Sequence, residues 1–127
     1  MTDKQPKPTQ AEIEILSVLW ERGAATVREV HNELVKQRDV GYTTVLKLMQ
    51  LMTEKGLVVR DESQRSHVYK ARQKAETTQR ALVKDMIAKV FCGSTEKLVM
   101  QALSARKATS EELNQIRKML DELEENQ

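Results

Sequence analysis

Residues 41–70 constrain the fold of this chain more than any other stretch, and they read GYTTVLKLMQLMTEKGLVVRDESQRSHVYK. In the first half of this stretch, four apolar residues recur at helical spacing and form one stripe: Val45, Leu48, Met49 and Met52. Gly56 is suited to end that helix. Two segments rich in β-forming residues follow, 57–60 and 67–70, and the polar turn 63–66 separates them. The pattern predicts a helix followed by a β-hairpin.

Two more helices are predicted before this one. Threonine and glutamate stand at the spacing of a capping box at Thr9/Glu12 and again at Thr26/Glu29. Gly23 is placed to end the first helix. The first helix carries the apolar residues Ile13, Leu16, Val18, Leu19 and Trp20, and the second is expected to direct four apolar residues inward: Val27, Val30, Leu34 and Val35. Three helices and a hairpin are typical of a winged helix-turn-helix domain.

The third helix carries polar side chains opposite its apolar stripe: Thr43, Lys47, Gln50 and Glu54. Three of these four residues can hydrogen-bond base edges or phosphates, so the helix is predicted to read duplex DNA. Charge supports this, because residues 36–72 hold eight basic and four acidic side chains, whereas residues 1–35 hold four and six. Arg65 in the hairpin turn is placed to contact a phosphate or to enter a minor groove. The alternative is that this turn only increases solubility and has no partner.

Residues 73–127 are predicted to form three further helices, and a third capping box at Thr109/Glu112 opens the last one. Three short helices with wide apolar faces cannot easily cover one another, which favours a dimerisation domain; the alternative is a cap on the winged helix. The predicted dimer contacts are the apolar residues Ile87, Val90, Leu98, Leu103, Leu113, Ile116, Leu120 and Leu123. The expected fold is mainly α with a small β-hairpin: a winged-helix DNA-binding domain in residues 1–72 and a three-helix dimerisation domain in 73–127.

Other classes of protein receive little support. His31, His67 and Cys92 have no sequence-evident catalytic partners, and Cys92 is expected to be a small buried residue, so neither an enzyme nor a metal or cofactor site is expected. An aromatic content of 3% is low for a protein that stacks unpaired bases. Residues 1–10 are polar, unlike a signal peptide, and no apolar run could span a membrane. A cytoplasmic protein without membrane insertion is expected.

Five strings in the chain resemble the penicillinase-repressor family: TQAEIEILSVLW (9–20), TVREV (26–30), GYTTV (41–45), KGL (55–57) and HVY (67–69). This family includes β-lactamase, methicillin-resistance and copper-operon repressors, and the resemblance covers essentially the whole chain. It implies a homodimeric transcriptional repressor on an inverted-repeat operator, often with TACA/TGTA-like half-sites. The DNA-binding positions predicted from the residues and this resemblance together are Tyr42, Thr43, Thr44, Lys47, Gln50, Arg65, Ser66 and His67.

The inducing stimulus does not follow from the resemblance. Antibiotic-responsive members are released when a sensor-linked membrane protease system triggers cleavage of an Asn-Phe bond in the dimerisation domain, and the matching position here is Gln101-Ala102. Copper-responsive members carry a C-terminal cysteine motif, and this chain has none. The competing function is a winged-helix adapter that docks on protein. Leu46, an apolar residue beside the reading face, favours that function but could equally contact a thymine methyl.

Overall fold

The computed structural model describes residues 7–127. The chain divides into two compact units, one ending at Leu82 and one beginning at Val83. Its elements are α1 (Gln10–Arg22), α2 (Val27–Leu34), α3 (Tyr42–Lys55), β1 (Val58–Asp61), β2 (Val68–Ala71), α4 (Ala75–Lys89), α5 (Thr95–Ala105) and α6 (Ser110–Glu125). The predicted mainly α fold with one hairpin is therefore confirmed. Residues 1–6 of the polar stretch that argued against a signal peptide lie outside the described residues.

The helices begin where the sequence predicts, because all three capping boxes form. In the first box, Thr9 Oγ1 accepts a hydrogen bond from the Glu12 amide at 3.2 Å, and Glu12 Oε1 accepts one from the Thr9 amide at 2.8 Å. The predicted end of α3 is also confirmed. Gly56 adopts a left-handed conformation with φ of 82°, and the amide of Leu57 donates to the carbonyl of Met52 at 2.9 Å.

One apolar core holds the first unit together. α1 packs against α2, α3 and β2, and α3 also packs against α2 and β1. The buried apolar residues are Ile15, Leu16, Leu19, Ala25, Val27, Val30, Leu34, Val40, Val45, Met49, Met52, Leu57, Val58 and Tyr69. The prediction that Val35 faces inward is wrong: α2 ends at Leu34, so Val35 lies past the last helical turn and is 43% exposed.

The hairpin is attached to the helices through a third extended segment. β1 and β2 are antiparallel, with Val58 opposite Ala71 and Asp61 opposite Val68. Ala25, in the connection between α1 and α2, exchanges two backbone hydrogen bonds with Tyr69, at 2.8 and 2.9 Å. Because these bonds anchor β2, the loop between the strands projects from a fixed base.

A buried charge also joins the ends of two helices. Glu12 is 2% exposed, and one of its oxygens accepts a hydrogen bond from Lys55 Nζ at 2.7 Å. Burial raises the pKa of Glu12, but the hydrogen bonds from Lys55 and Thr9, with the charge of Lys55, outweigh burial and leave that pKa below its ordinary value. The ionised carboxylate thus links the first turn of α1 to the last turn of α3.

The second unit has no comparable interior. None of the residues in α4, α5 or α6 is buried. Large apolar side chains of this unit are exposed instead: Val83, Met86, Val90, Val99, Met100, Leu103, Met119, Leu120 and Leu123. The expectation that Cys92 is buried is wrong, because it lies in the turn after α4 and is exposed. Within residues 7–127, no helix is long and apolar enough to cross a membrane.

Candidate nucleic-acid interface

The outer face of α3 carries the predicted base-reading residues. Because Val45, Met49 and Met52 are packed into the core, the opposite side of the helix faces outward. Four of the predicted residues are exposed there: Thr43, Thr44, Lys47 and Gln50. Gly41 precedes the helix and supplies no side-chain cap. The outer face of α3 is therefore polar and open to a ligand.

The loop between β1 and β2 holds the other predicted residues, Arg65, Ser66 and His67, and all three are exposed. We call β1, β2 and this loop the wing. The loop begins with a local constraint, since Asp61 Oδ1 accepts a hydrogen bond from the Ser63 amide at 2.9 Å. That bond is the main reason why the pKa of Asp61 lies below its ordinary value.

A groove of about 640 Å³ lies between the start of α2, the start of α3 and the wing. Residues from all three elements line this α2–α3–wing groove: Thr26, Val27, Arg28, Glu29, Asn32, Tyr42, Leu46, Arg65, Ser66, His67 and Tyr69. The fold thus brings Tyr42 together with the three wing residues, although 23 positions separate Tyr42 from Arg65 in the sequence. The other predicted residues of α3 lie outside the lining of the groove.

Sequence reasoning missed the contribution of α2 to this groove. The guanidinium carbon of Arg28 lies 5.0 Å from the centre of the Tyr42 ring. The ring of His31 meets the same tyrosine edge-on, with centroids 5.8 Å apart and planes at 81°. His31 Nε2 in turn donates a hydrogen bond to the carbonyl of Val40 at 2.8 Å. One feature of the sequence pointed to Arg28: it is a basic residue in the first turn of a helix, where the macrodipole favours acidic ones.

The cations of the first unit fall into two groups. At least five are held by carboxylates within 4 Å: Arg22 by Glu29 and Glu33, Lys36 by Glu33, Arg38 by Glu14, Lys55 by Glu12, and Arg60 by Glu62. Arg28, Lys47 and Arg65 have no such partner among the described residues. Uncompensated positive charge is therefore present on each of the three elements around the groove, α2, α3 and the wing.

The groove also contains one carboxylate, that of Glu29. A hydrogen bond from the Thr26 amide and the nearby charge of Arg22 lower the pKa of Glu29. Glu29 is consequently ionised at neutral pH, with one oxygen accepting from Thr26 at 2.9 Å and the other from Arg22 at 3.2 Å. Its charge is largely offset by Arg22, so it opposes an incoming anion only weakly.

Residues 8–122 of the chain match the penicillinase repressor family. The chain belongs to this family. The penicillinase repressor of Staphylococcus aureus is 20% identical over 123 residues, which cover 97% of this chain and 98% of that protein. The transcriptional regulator BlaI of Mycobacterium tuberculosis is 29% identical over 111 residues, covering 87% of this chain and 80% of that protein.

The fold has a solved counterpart in the DNA-binding domain of the repressor BlaI, whose solution structure aligns with a TM-score of 0.52 at 24% identity. The alignment covers 58% of this chain and 90% of that domain. It confirms the predicted winged-helix fold. Family membership confirms that the chain is a transcriptional repressor of the winged-helix class and not an enzyme.

The predicted dimer contacts and the possible cleavage position both lie in the second unit. Four of the predicted dimer contacts are exposed, namely Val90, Leu103, Leu120 and Leu123, and the other four are partly buried, namely Ile87, Leu98, Leu113 and Ile116. Gln101 and Ala102 are both exposed and lie within α5.

Leu46, which favoured the adapter function, is partly buried and packs against the core. Its apolar side chain therefore has a role in folding. In residues 7–127, no three histidine, cysteine, aspartate or glutamate side chains are close enough together to hold a metal ion.

Proposed function

We propose that this repressor binds an inverted-repeat operator in duplex DNA as a homodimer and blocks transcription by occupying it. One observation carries the proposal: cations without carboxylate partners and exposed hydrogen-bonding side chains lie on α2, α3 and the wing, around one groove. α3 has the length and polar outer face of a helix that enters a major groove. The wing would then reach the neighbouring phosphates or minor groove.

Within this arrangement the predicted residues divide into two roles. Thr43, Thr44, Lys47 and Gln50 of α3 would contact base edges, because threonine, lysine and glutamine side chains match donor and acceptor patterns in the major groove. Arg65, Ser66 and His67 of the wing would contact the sugar-phosphate backbone, and the ring of Tyr42 at the start of α3 would support that surface by packing against Arg28 and His31. Contacts of the second kind position the protein and carry little sequence information.

Dimerisation would occur through the second unit, residues 83–127, which lies within the predicted dimerisation domain 73–127. Leu120 and Leu123 of α6 are at least half exposed, as is Val90 near the end of α4. Full burial of one such side chain contributes about 1.5–3 kcal/mol, so a two-fold interface covering several of them would be stable. A dimer would also place two winged-helix domains on half-sites about one helical turn, roughly 34–36 Å, apart.

Release by a sensor-linked protease would require cleavage at Gln101-Ala102, where the resemblance places an Asn-Phe bond. Both residues lie within α5. The helix would therefore have to open locally before the active site of a protease could bind this segment in an extended conformation.

Equilibrium binding tests the proposal. Fluorescence anisotropy at about 150 mM salt would compare a duplex carrying the inverted repeats of the chain's own promoter region with a scrambled duplex of equal length. We expect the repeat to bind roughly a thousandfold more tightly, since non-specific phosphate contacts cannot produce that ratio. Equal and weak binding to both duplexes, followed by failure to select any sequence from random duplexes, would contradict the proposal.

Lys47→Ala tests the role of α3 in the same assay. We expect operator affinity to fall about tenfold or more, as for loss of a base contact worth roughly 1–3 kcal/mol, with folding and sedimentation unchanged because Lys47 is exposed. Lys36→Ala is the matched control, since Lys36 is an exposed lysine whose ammonium lies 3.2 Å from Glu33. Equal operator affinities for Lys47→Ala and the parent would show that Lys47 is not part of the DNA interface.

A further inference from the structure

Arg28 is the least expected cation of the first unit. It is the second residue of α2, where the partial positive charge of the helix terminus opposes a cation. No carboxylate within 4 Å compensates it in the described part of the chain. Helix stability therefore gives no reason for an arginine at this position, and a ligand that needs its charge would supply one.

The position of Arg28 is nevertheless well defined. Its guanidinium lies over the ring of Tyr42 at 5.0 Å, and His31 braces that ring from the side. His31 is itself fixed by its hydrogen bond to the Val40 carbonyl. A cation–π contact at this distance uses no N–H donor, and Arg28 is exposed, so its N–H groups stay open to a ligand. Arg28 thus lies against Tyr42, and within residues 7–127 its N–H donors have no hydrogen-bond partner.

The proposed docking of this repressor on DNA decides what would reach Arg28. If α3 lies in a major groove and the wing contacts the adjacent minor groove, the sugar-phosphate strand between those two DNA grooves must pass between α3 and the wing. The space between α3 and the wing is the α2–α3–wing groove, which Arg28 and Tyr42 line from one side and Arg65 and Ser66 from the other.

We propose that Arg28, held over the Tyr42 ring, is a phosphate-binding residue for the DNA strand that lies in the α2–α3–wing groove. This rests on the proposed function and adds α2 to a DNA interface otherwise assigned to α3 and the wing. Arg28 contacts phosphate and not bases, so it strengthens binding to any duplex sequence. Tyr42 acts as a positioning residue through its ring, whereas its hydroxyl is dispensable for holding Arg28.

The salt dependence of binding tests the role of Arg28. In full-length Arg28→Gln, affinity should fall about tenfold for each half-site, as for one hydrogen bond to a charged group in each protomer, and thus about a hundredfold for the dimer, by the same factor for operator and scrambled duplex. The slope of log affinity against log salt should become shallower by about 1.8, because the dimer loses one phosphate contact in each half-site and each contributes about 0.9. Arg38→Gln is the control, because it removes the same charge from an arginine bound to Glu14 at 2.8 Å, and its slope should match the parent's.

Two outcomes would overturn the assignment: an Arg28→Gln slope equal to the parent's, or affinity lost for the operator alone, which would indicate a base contact. The proposed function is judged separately, on the preference of the parent protein for operator over scrambled duplex. A parent with that preference and an Arg28→Gln variant with an unchanged slope would refute only the present inference.

Substitutions at Tyr42 test the positioning role. Tyr42→Phe keeps the ring and should bind within about twofold of the parent, whereas Tyr42→Leu removes the ring and should weaken binding several-fold. The double variant Arg28→Gln/Tyr42→Leu should bind no more weakly than Arg28→Gln alone, because both changes remove one contact. Additive losses in the double variant, or a Tyr42→Phe as weak as Tyr42→Leu, would show that Tyr42 does not act by holding Arg28.

Discussion

Replacement of Glu12 by glutamine should lower the free energy of unfolding of the first unit by about 2 kcal/mol at pH 7. The carboxylate is 2% exposed and accepts hydrogen bonds from Lys55 Nζ at 2.7 Å and from the Thr9 amide at 2.8 Å. Glutamine keeps one acceptor oxygen and nearly the same volume, but it loses the negative charge. The variant therefore removes the charge and one of the two acceptors while leaving the packing nearly unchanged.

The expected loss in the free energy of unfolding depends on how exposed Lys55, the ion-pair partner of Glu12, is to solvent. Removing one member of a fully buried ion pair costs about 3–5 kcal/mol, because the other charge is left without compensation. The side chain of Lys55 is 37% exposed, so its ammonium can regain water after the change. Hydrogen bonds to charged groups contribute about 1.5–3 kcal/mol, and this range brackets the expected loss.

The loss should also depend on pH. In the folded protein, hydrogen bonds from Lys55 and Thr9 and the charge of Lys55 outweigh burial, so the pKa of Glu12 lies below its ordinary value of 4.5. Folding therefore favours the ionised form, and the stabilisation is fully present above about pH 4.5. It disappears as the pH falls through the lower pKa of the folded state. The difference between parent and variant should be constant from pH 7 to 5.5 and shrink towards pH 3.5.

Urea unfolding followed by Trp20 fluorescence measures this difference, because Trp20 is the one tryptophan of the chain and belongs to the first unit. All proteins should be compared at one concentration, since dimerisation would add to stability. Glu14→Gln is the control: its pair with Arg38 is partly exposed, so the loss should be under about 1 kcal/mol. Equal losses for the two variants, or a Glu12→Gln difference that stays constant down to pH 3.5, would refute the reasoning.

Three other substitutions test the remaining features. Leu120→Asp should convert the dimer to monomer in sedimentation without loss of helicity, since Leu120 is 55% exposed in the single chain; a variant that stays dimeric would place the interface elsewhere. Met49→Ala should lower the free energy of unfolding by about 2–5 kcal/mol, because Met49 is fully buried; a loss below about 1 kcal/mol in urea titrations would mean that the core closes around the cavity. Thr109→Ala removes a side-chain cap of α6 and should cost about 1 kcal/mol in thermal unfolding followed by circular dichroism; an unchanged transition would show that this cap is not needed.

The sequence determined the local elements of this protein. Capping boxes at Thr9, Thr26 and Thr109 fixed three helix starts, and Gly56 fixed the end of α3, because these features act within a few residues of the chain. The apolar stripe of α3 fixed which side of that helix faces outward. The hairpin was predicted one residue early in each strand, since strand ends depend on pairing between distant residues.

Only the tertiary structure decided which side chains meet. Glu12 reaches Lys55 across 43 positions, and Ala25 pairs with Tyr69 across 44, and no periodicity in the sequence encodes either contact. Such contacts depend on how the helices pack, which is set by the shapes of many side chains together. The approach of Arg28 to Tyr42 has the same origin. The sequence therefore predicted a winged helix with polar outer residues, whereas packing of α3 against α2 and β1, and of α1 against β2, created the groove in which Arg28 is proposed to bind phosphate.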